Sequence, residues 1–180
     1  MQKLVAGLAF GMLVLAVGVG GCDLISNSDI IPAKETPDAI SIPKVSSSPS
    51  AFATLEESTH ELINQYRKSQ NLPLLTLDAR ISKEARAHSQ AMANGEVPFS
   101  HNGFEGRVKA IGKSISYRGA SENVAYNQGF SDPAKQAVEG WLKSPGHLKN
   151  IQGEYDLTGV GVAKNAKGEY YLTQIFIKRR

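Results

Sequence analysis

A single cysteine, Cys22, closes the long apolar run at the start of the chain, and this constrains how everything after it can fold. With 1 Cys among 180 residues no internal disulfide forms, and the thiolate sets of zinc fingers and iron–sulfur sites are excluded. The folded part must therefore close an ordinary hydrophobic core, for which 41% hydrophobic and 21% charged residues suffice. The formal net charge of +3 is small, and the densest basic cluster is Lys178-Arg179-Arg180. Three charges at one end of a sequence read as solvation, so no nucleic-acid partner is expected.

Lys3 is followed by the apolar run Leu4 to Val19, the charged and apolar regions of an export signal. The run is short for a membrane span of about 20 residues, and Gly7, Gly11 and Gly18 interrupt it. It ends in Val19-Gly20-Gly21-Cys22, an aliphatic residue, two small residues and Cys. That ending resembles the bacterial lipobox, whose cysteine is acylated and becomes the mature N-terminus. The resemblance implies a signal over residues 1–21, lipidation at Cys22, and an exported lipoprotein facing the periplasm or exterior, with the membrane as its partner through the N-terminal lipid. A plain membrane anchor, or a cleaved secretory signal with an incidental cysteine, is the competing reading. Residues 22–53 hold Pro32, Pro37, Pro43, Pro49 and Ser46-Ser47-Ser48 with little aliphatic periodicity. This is tether composition, spanning on the order of 30 Å root-mean-square.

Residues 54–180 match the size of one domain. Leu55, Thr59, Leu62, Ile63 and Tyr66 follow helical spacing, ended by Asn71 to Pro73. A second helix is expected after Asp78, carrying Ile81, Ala85, His88 and Met92 and ending near Asn94-Gly95. Asp132-Pro133 opens a third, with Ala134, Ala137, Val138, Trp141 and Leu142 on its buried side. Ser144 then caps a short helix starting at Pro145. The segments 158–163 and 170–177, joined by Asn165-Ala166-Lys167-Gly168, read as a β-hairpin, and a shorter strand is expected over Glu122 to Tyr126. Helices segregated from a small, mainly antiparallel sheet predict an α+β fold.

Phe99-Ser100-His101, Glu122-Asn123-Val124-Ala125, Trp141 through His147, Asn150-Ile151 and Gly159-Val160-Gly161-Val162 occur in this order. Together they resemble the bacterial branch of the CAP superfamily, of cysteine-rich secretory, antigen 5 and pathogenesis-related 1 proteins (SCP-like domains). The resemblance covers about residues 54 to 180. It implies a three-layer α-β-α sandwich with a cleft where two histidines and two glutamates converge. Carried over by motif, the histidines are His101 and His147 and the first glutamate is Glu122. The second glutamate of many eukaryotic members falls here on Ser144, and Glu139 lies on a different helix face.

Two imidazoles and one carboxylate offer nitrogen and oxygen ligands for Zn or another divalent metal, so His101, His147 and Glu122 are the candidate metal ligands. The competing reading is a hydrogen-bonded network fixing the cleft walls. Asn123 and Asn150 are expected to brace the backbone around the site, with Ser144 in the cleft and Gln174 facing the same way. His88 is expected to be a core histidine bonded to a carbonyl or a tyrosine, and His60 to face solvent. Gly-x-Ser-x-Gly and His-Glu-x-x-His motifs are absent from the sequence. Two functions remain. One is a non-catalytic module binding an apolar or envelope-derived ligand; the other is a metal-dependent hydrolase with Glu122 as candidate catalytic base. The missing second glutamate favours the first.

Overall fold

The computed structural model describes residues 51–180; the signal, Cys22 and the tether up to residue 50 lie outside the described residues. The elements are α1 (Ala51–Ser69), β1 (Thr76–Leu77), α2 (Ala79–Ala93), α3 (Phe104–Gly112), β2 (Tyr117–Gln128), α4 (Pro133–Lys143), α5 (Pro145–Gln152), β3 (Leu157–Lys164) and β4 (Glu169–Arg179). Helix α1 is already formed at Ala51, three residues before the expected domain boundary.

The β3–β4 hairpin forms the centre of a four-stranded sheet of order β1-β3-β4-β2. Its turn works as the sequence suggests: Gly168 takes φ 82°, and the Asn165 side chain accepts from the backbone of Lys167 and Glu169. All pairs are antiparallel except β1 with β3. Strand alternation then sorts residues onto two faces. Ile175 and Ile177 join Ile81, Ala85, Ile111, Ile115 and Leu157 beneath α2 and α3. On the other face Val160, Val162, Leu172 and Phe176 meet Ile63, Ala137, Val138, Trp141 and Ile151 from α1, α4 and α5. Two apolar layers around one sheet make the expected three-layer sandwich.

The caps agree with the sequence at two helices. Asp78 accepts from Arg80 N, and Asp132 accepts from Lys135 N behind Pro133. At the third the position agrees and the chemistry does not: Ser144 precedes Pro145, yet its side chain makes no capping bond. Helix α3 was not foreseen, although Phe104, Val108 and Ile111 sit at helical spacing. Strand β2 runs 12 residues, far beyond Glu122 to Tyr126. Its first part is polar, lies at the sheet edge and is broken by a register shift between Tyr117 and Gly119, so no apolar alternation announces it. His60 is a further correction: it is half-buried, with Nε2 3.0 Å from Leu75 O and 3.0 Å from Asn64 Nδ2.

Because β1 is only two residues long, β3 has an open edge beyond it. Glu56 closes this edge by accepting from Val162 N at 3.2 Å, while Arg86 grips the same carboxylate through Nε and Nη2. Arg67 closes the other end of α1. It is buried with no carboxylate partner among the described residues and donates to the carbonyls of Pro73, Ile151 and Gly153. Burial lowers its pKa. Both charges are accommodated because hydrogen bonds replace the water each loses.

Candidate functional site

Glu122 lies midway along β2 on the α2/α3 face, with its side chain only 2% exposed. A carboxylate at that depth needs partners. Arg107 on α3 supplies a two-pronged one, Nε to Oε2 and Nη2 to Oε1, each at 2.8 Å. His101 adds a third bond from Nδ1 to Oε1 at 3.0 Å. Since a carboxylate oxygen accepts, His101 carries a hydrogen on Nδ1. The His101 side chain is 51% exposed.

His88 supports Arg107 from beneath. Its Nε2 is 2.9 Å from the Ser100 carbonyl and its Nδ1 3.2 Å from Arg107 Nη1. A carbonyl only accepts and a guanidinium only donates, which fixes the neutral ring with hydrogen on Nε2. Burial first, opposed by the Ser100 carbonyl bond, and then the Arg107 charge lower its pKa. The expected core histidine bonded to a carbonyl is thus present, and it also holds the residue that holds Glu122.

His147 stands in the first turn of α5, its ring centroid 6.3 Å from that of His101 with the planes inclined at 40°. Burial first and the His101 charge second lower its pKa, which favours the neutral imidazole. Asn123 donates to His147 O at 3.2 Å, and Asn150 donates to Glu122 O at 3.1 Å and to Asn123 Oδ1 at 2.9 Å. The two asparagines therefore tie α5 to β2. Gln174 pairs in register with Asn123 on the same face and donates to Thr158 Oγ1. Ser144 stays at the α4–α5 junction and bonds neither histidine nor Glu122, and Glu139 is 3.9 Å from Lys135 on α4. Among the described residues, no three His, Cys, Asp or Glu side chains converge as a metal cage.

Sequence reasoning missed Arg107. Its signal was the need of a buried Glu122 for a cation, combined with the unrecognised helical spacing around it. Also missed was an aromatic strip beside the histidines. Glu122, Val124 and Tyr126 alternate onto one face of β2, and Tyr126 packs against Phe99 at 6.3 Å and Tyr171 at 5.3 Å. Phe99 and Tyr126 are both exposed. The strip leads from His101 to an open concavity of about 530 Å³ at the hairpin end, lined by Met92, Asn94, Lys164, Glu169 and Tyr171 among others.

The sequence profile of the cysteine-rich secretory protein (CAP) family matches residues 60–176, which take in all five motifs. The chain belongs to this family. Among CAP relatives, YkwD of Bacillus subtilis is 36% identical over 122 residues, covering 64% of this chain and 44% of YkwD. The membrane protein YlbC of the same organism is 35% identical over 115 residues, 61% of this chain and 32% of that protein. The chain thus spans less than half the length of either curated relative. An extracellular protein of Bacillus anthracis containing an SCP domain superposes with TM-score 0.61 at 30% identity, covering 71% of this chain and 41% of that one. An outer surface protein of Borrelia burgdorferi shares the CAP fold at TM-score 0.60 and 22% identity, covering 69% of this chain and 92% of that one.

Proposed function

We propose that this CAP domain is an exported, membrane-tethered binding module whose cleft takes an apolar or envelope-derived ligand and a divalent metal on His101 and His147, without catalysing a reaction. Export is supported by the signal-like start of the sequence and by the extracellular description of the Bacillus anthracis relative. The apolar ligand is suggested by the exposed Phe99 and Tyr126 beside the histidines.

One observation carries the choice of binding over hydrolysis: both oxygens of Glu122 are occupied, by Arg107 and by His101. A general base must take a proton from water, and a carboxylate locked in a two-pronged ion pair is a poor one. Glu122 instead acts as the outer partner of His101, holding hydrogen on Nδ1 so that Nε2 faces outward. Two imidazoles bound to one tetrahedral zinc place their centroids about 5 Å apart. From 6.3 Å this asks for a modest rotation of the exposed His101. When bound, the metal supplies a Lewis acid with open positions for a ligand group.

Zinc titration by calorimetry at pH 7.5 and 5.5 tests the reading. Weak binding at pH 7.5 is expected, falling at pH 5.5 as protons compete with the metal for the imidazoles, and lost in the His101→Ala/His147→Ala variant. Equal binding at both pH values, or unchanged binding in the double variant, removes the histidines as ligands. Metal-dependent hydrolysis of an ester or amide probe that disappears in Glu122→Gln would establish the hydrolase instead.

A further inference from the structure

The fold gathers cations that the sequence scatters. The register of the sheet brings the start of β2 and β3 and the end of β4 together: Leu157 pairs with Ile177, and Tyr117 with Arg179. Arg180 extends this end, its N donating to Ser116 O and its Nε to Tyr117 O. Arg118 lies in the register shift of β2, next to Gly119, which pairs with Lys178. Lys113 follows α3 directly, and Arg80 of α2 reaches Ser114 O at 3.0 Å. Arg118 and Arg180 both line an open concavity of about 410 Å³, together with Gly112, Ser116 and Tyr117.

Asp78 and Asp156 stand among these groups, and both are taken. Asp78 pairs with Arg80 at 2.6 Å and Asp156 with Arg179 at 2.8 Å. Lys113, Arg118, Lys178 and Arg180 have no ion-pair partner among the described residues. This end therefore gathers four cations that no ion pair neutralises among the described residues.

We propose that this end, centred on Arg118 and Arg180, binds a phosphate-bearing polyanion in the aqueous phase. Guanidinium groups match phosphate oxygens with paired N–H donors, and several separate cations favour a polymer over a single anion. The bilayer is the less suited partner for two reasons. The segment preceding Ala51 joins the opposite end, where Glu56 of α1 bonds Val162 near the finish of β3. The 11 residues of β4 at ~3.3 Å each put the two ends about 35 Å apart. The exposed aromatic residues Phe52, Phe99, Tyr126 and Phe130 lie toward that opposite end, whereas at the basic end it is the aliphatic Leu77 of β1 that is exposed. The outward display rests on the tethered reading above; the charge chemistry does not.

The test uses the full chain in nanodiscs of zwitterionic lipid, titrated with long-chain inorganic polyphosphate. Binding is expected at 50 mM salt and weakens about a hundredfold by 200 mM, the scale for roughly four counterions released. Arg118→Gln/Arg180→Gln and, separately, Lys113→Gln/Lys178→Gln should each weaken binding at least tenfold with melting unchanged. Lys164→Gln/Lys167→Gln, at the hairpin end, should change it less than twofold. Absence of binding, or equal loss in the hairpin variant, overturns the proposal. Loss of polyphosphate binding when anionic phospholipid is added to the nanodisc also overturns it, assigning the basic end to the membrane. Loss of Cys22 lipidation with polyphosphate binding intact would defeat the tether and leave this site standing.

Discussion

His88 shows how much of the cleft depends on one neutral imidazole. Both ring nitrogens are committed, Nε2 to the Ser100 carbonyl and Nδ1 to Arg107, and Arg107 in turn fixes Glu122 and through it His101. Protonation puts N–H on Nδ1 against the guanidinium, a donor facing a donor. Burial, Arg107 and His101 oppose the charged ring, and the Ser100 bond and Glu122 favour it, with the balance lowering the pKa. The unfolded chain, with histidine near ~6.5, therefore takes up a proton before the folded one does. Stability from this source is fully present above ~6.5 and is lost as the pH falls below it, by at most about 1.4 kcal/mol per pH unit for each such histidine. His147 contributes with the same sign. Asp78, Asp156 and Glu169, whose pKa values are also lowered, titrate below this window. Urea denaturation at pH 7.5, 6.5 and 5.5 is expected to show falling stability across the last interval. His88→Gln should be less stable at pH 7.5 and show a shallower fall. An unchanged slope in that variant would mean that His88 takes up its proton as readily folded as unfolded.

Between elements, the tightest contact is that of α2 on β3, and glycine makes it. A Cβ on Gly161 would lie 2.1 Å from Arg86 N and 2.2 Å from the Ala85 carbonyl carbon, and one on Gly159 would lie 2.3 Å from Ser82 N. Space is the requirement here, since neither glycine has positive φ. The closeness lets Ser89 Oγ donate to Gly161 O and share a second hydrogen bond with the Thr173 hydroxyl, and Ser82 accept from Val160 N. Gly161→Ala must push backbone against backbone and is expected to cost about 2–3 kcal/mol in urea denaturation. Gly140, exposed in α4 with nothing within 4 Å of its would-be Cβ, gives the opposite sign: Gly140→Ala should stabilise by about 0.5–1 kcal/mol. Equal effects of the two substitutions would remove the packing argument. The same distinction between local and tertiary causes explains what the sequence showed. Helices α2 and α4 were legible because their caps and periodicity are local, and so was the hairpin. The extent of β2 was not, because an edge strand carrying Arg118, Ser121 and Asn127 lacks an apolar face until the sheet surrounds it. In the site, His101, Glu122 and His147 stood out by motif. Arg107 did not, since its meeting with Glu122 spans 15 residues and depends on an unforeseen helix.

On the scale of the whole molecule, the described residues close their own core on both faces of the sheet. No described helix is long and apolar enough to span one. The sequence before residue 51 offers a candidate attachment, Cys22 after Val19-Gly20-Gly21. The attachment chemistry matters to the rest of the molecule. A single acyl chain holds a protein only marginally, whereas two or more anchor it stably. Fatty-acid labelling in an exporting bacterial host separates the acylated form from a plain anchor. The wild-type chain is expected to incorporate label and to migrate as a form shortened by the signal of residues 1–21. Cys22→Ser should incorporate none and accumulate uncut, because the residue that receives the lipid is gone. Equal labelling of the variant, or an unlabelled wild-type chain in the membrane fraction at its full length, would identify the apolar run as a simple anchor.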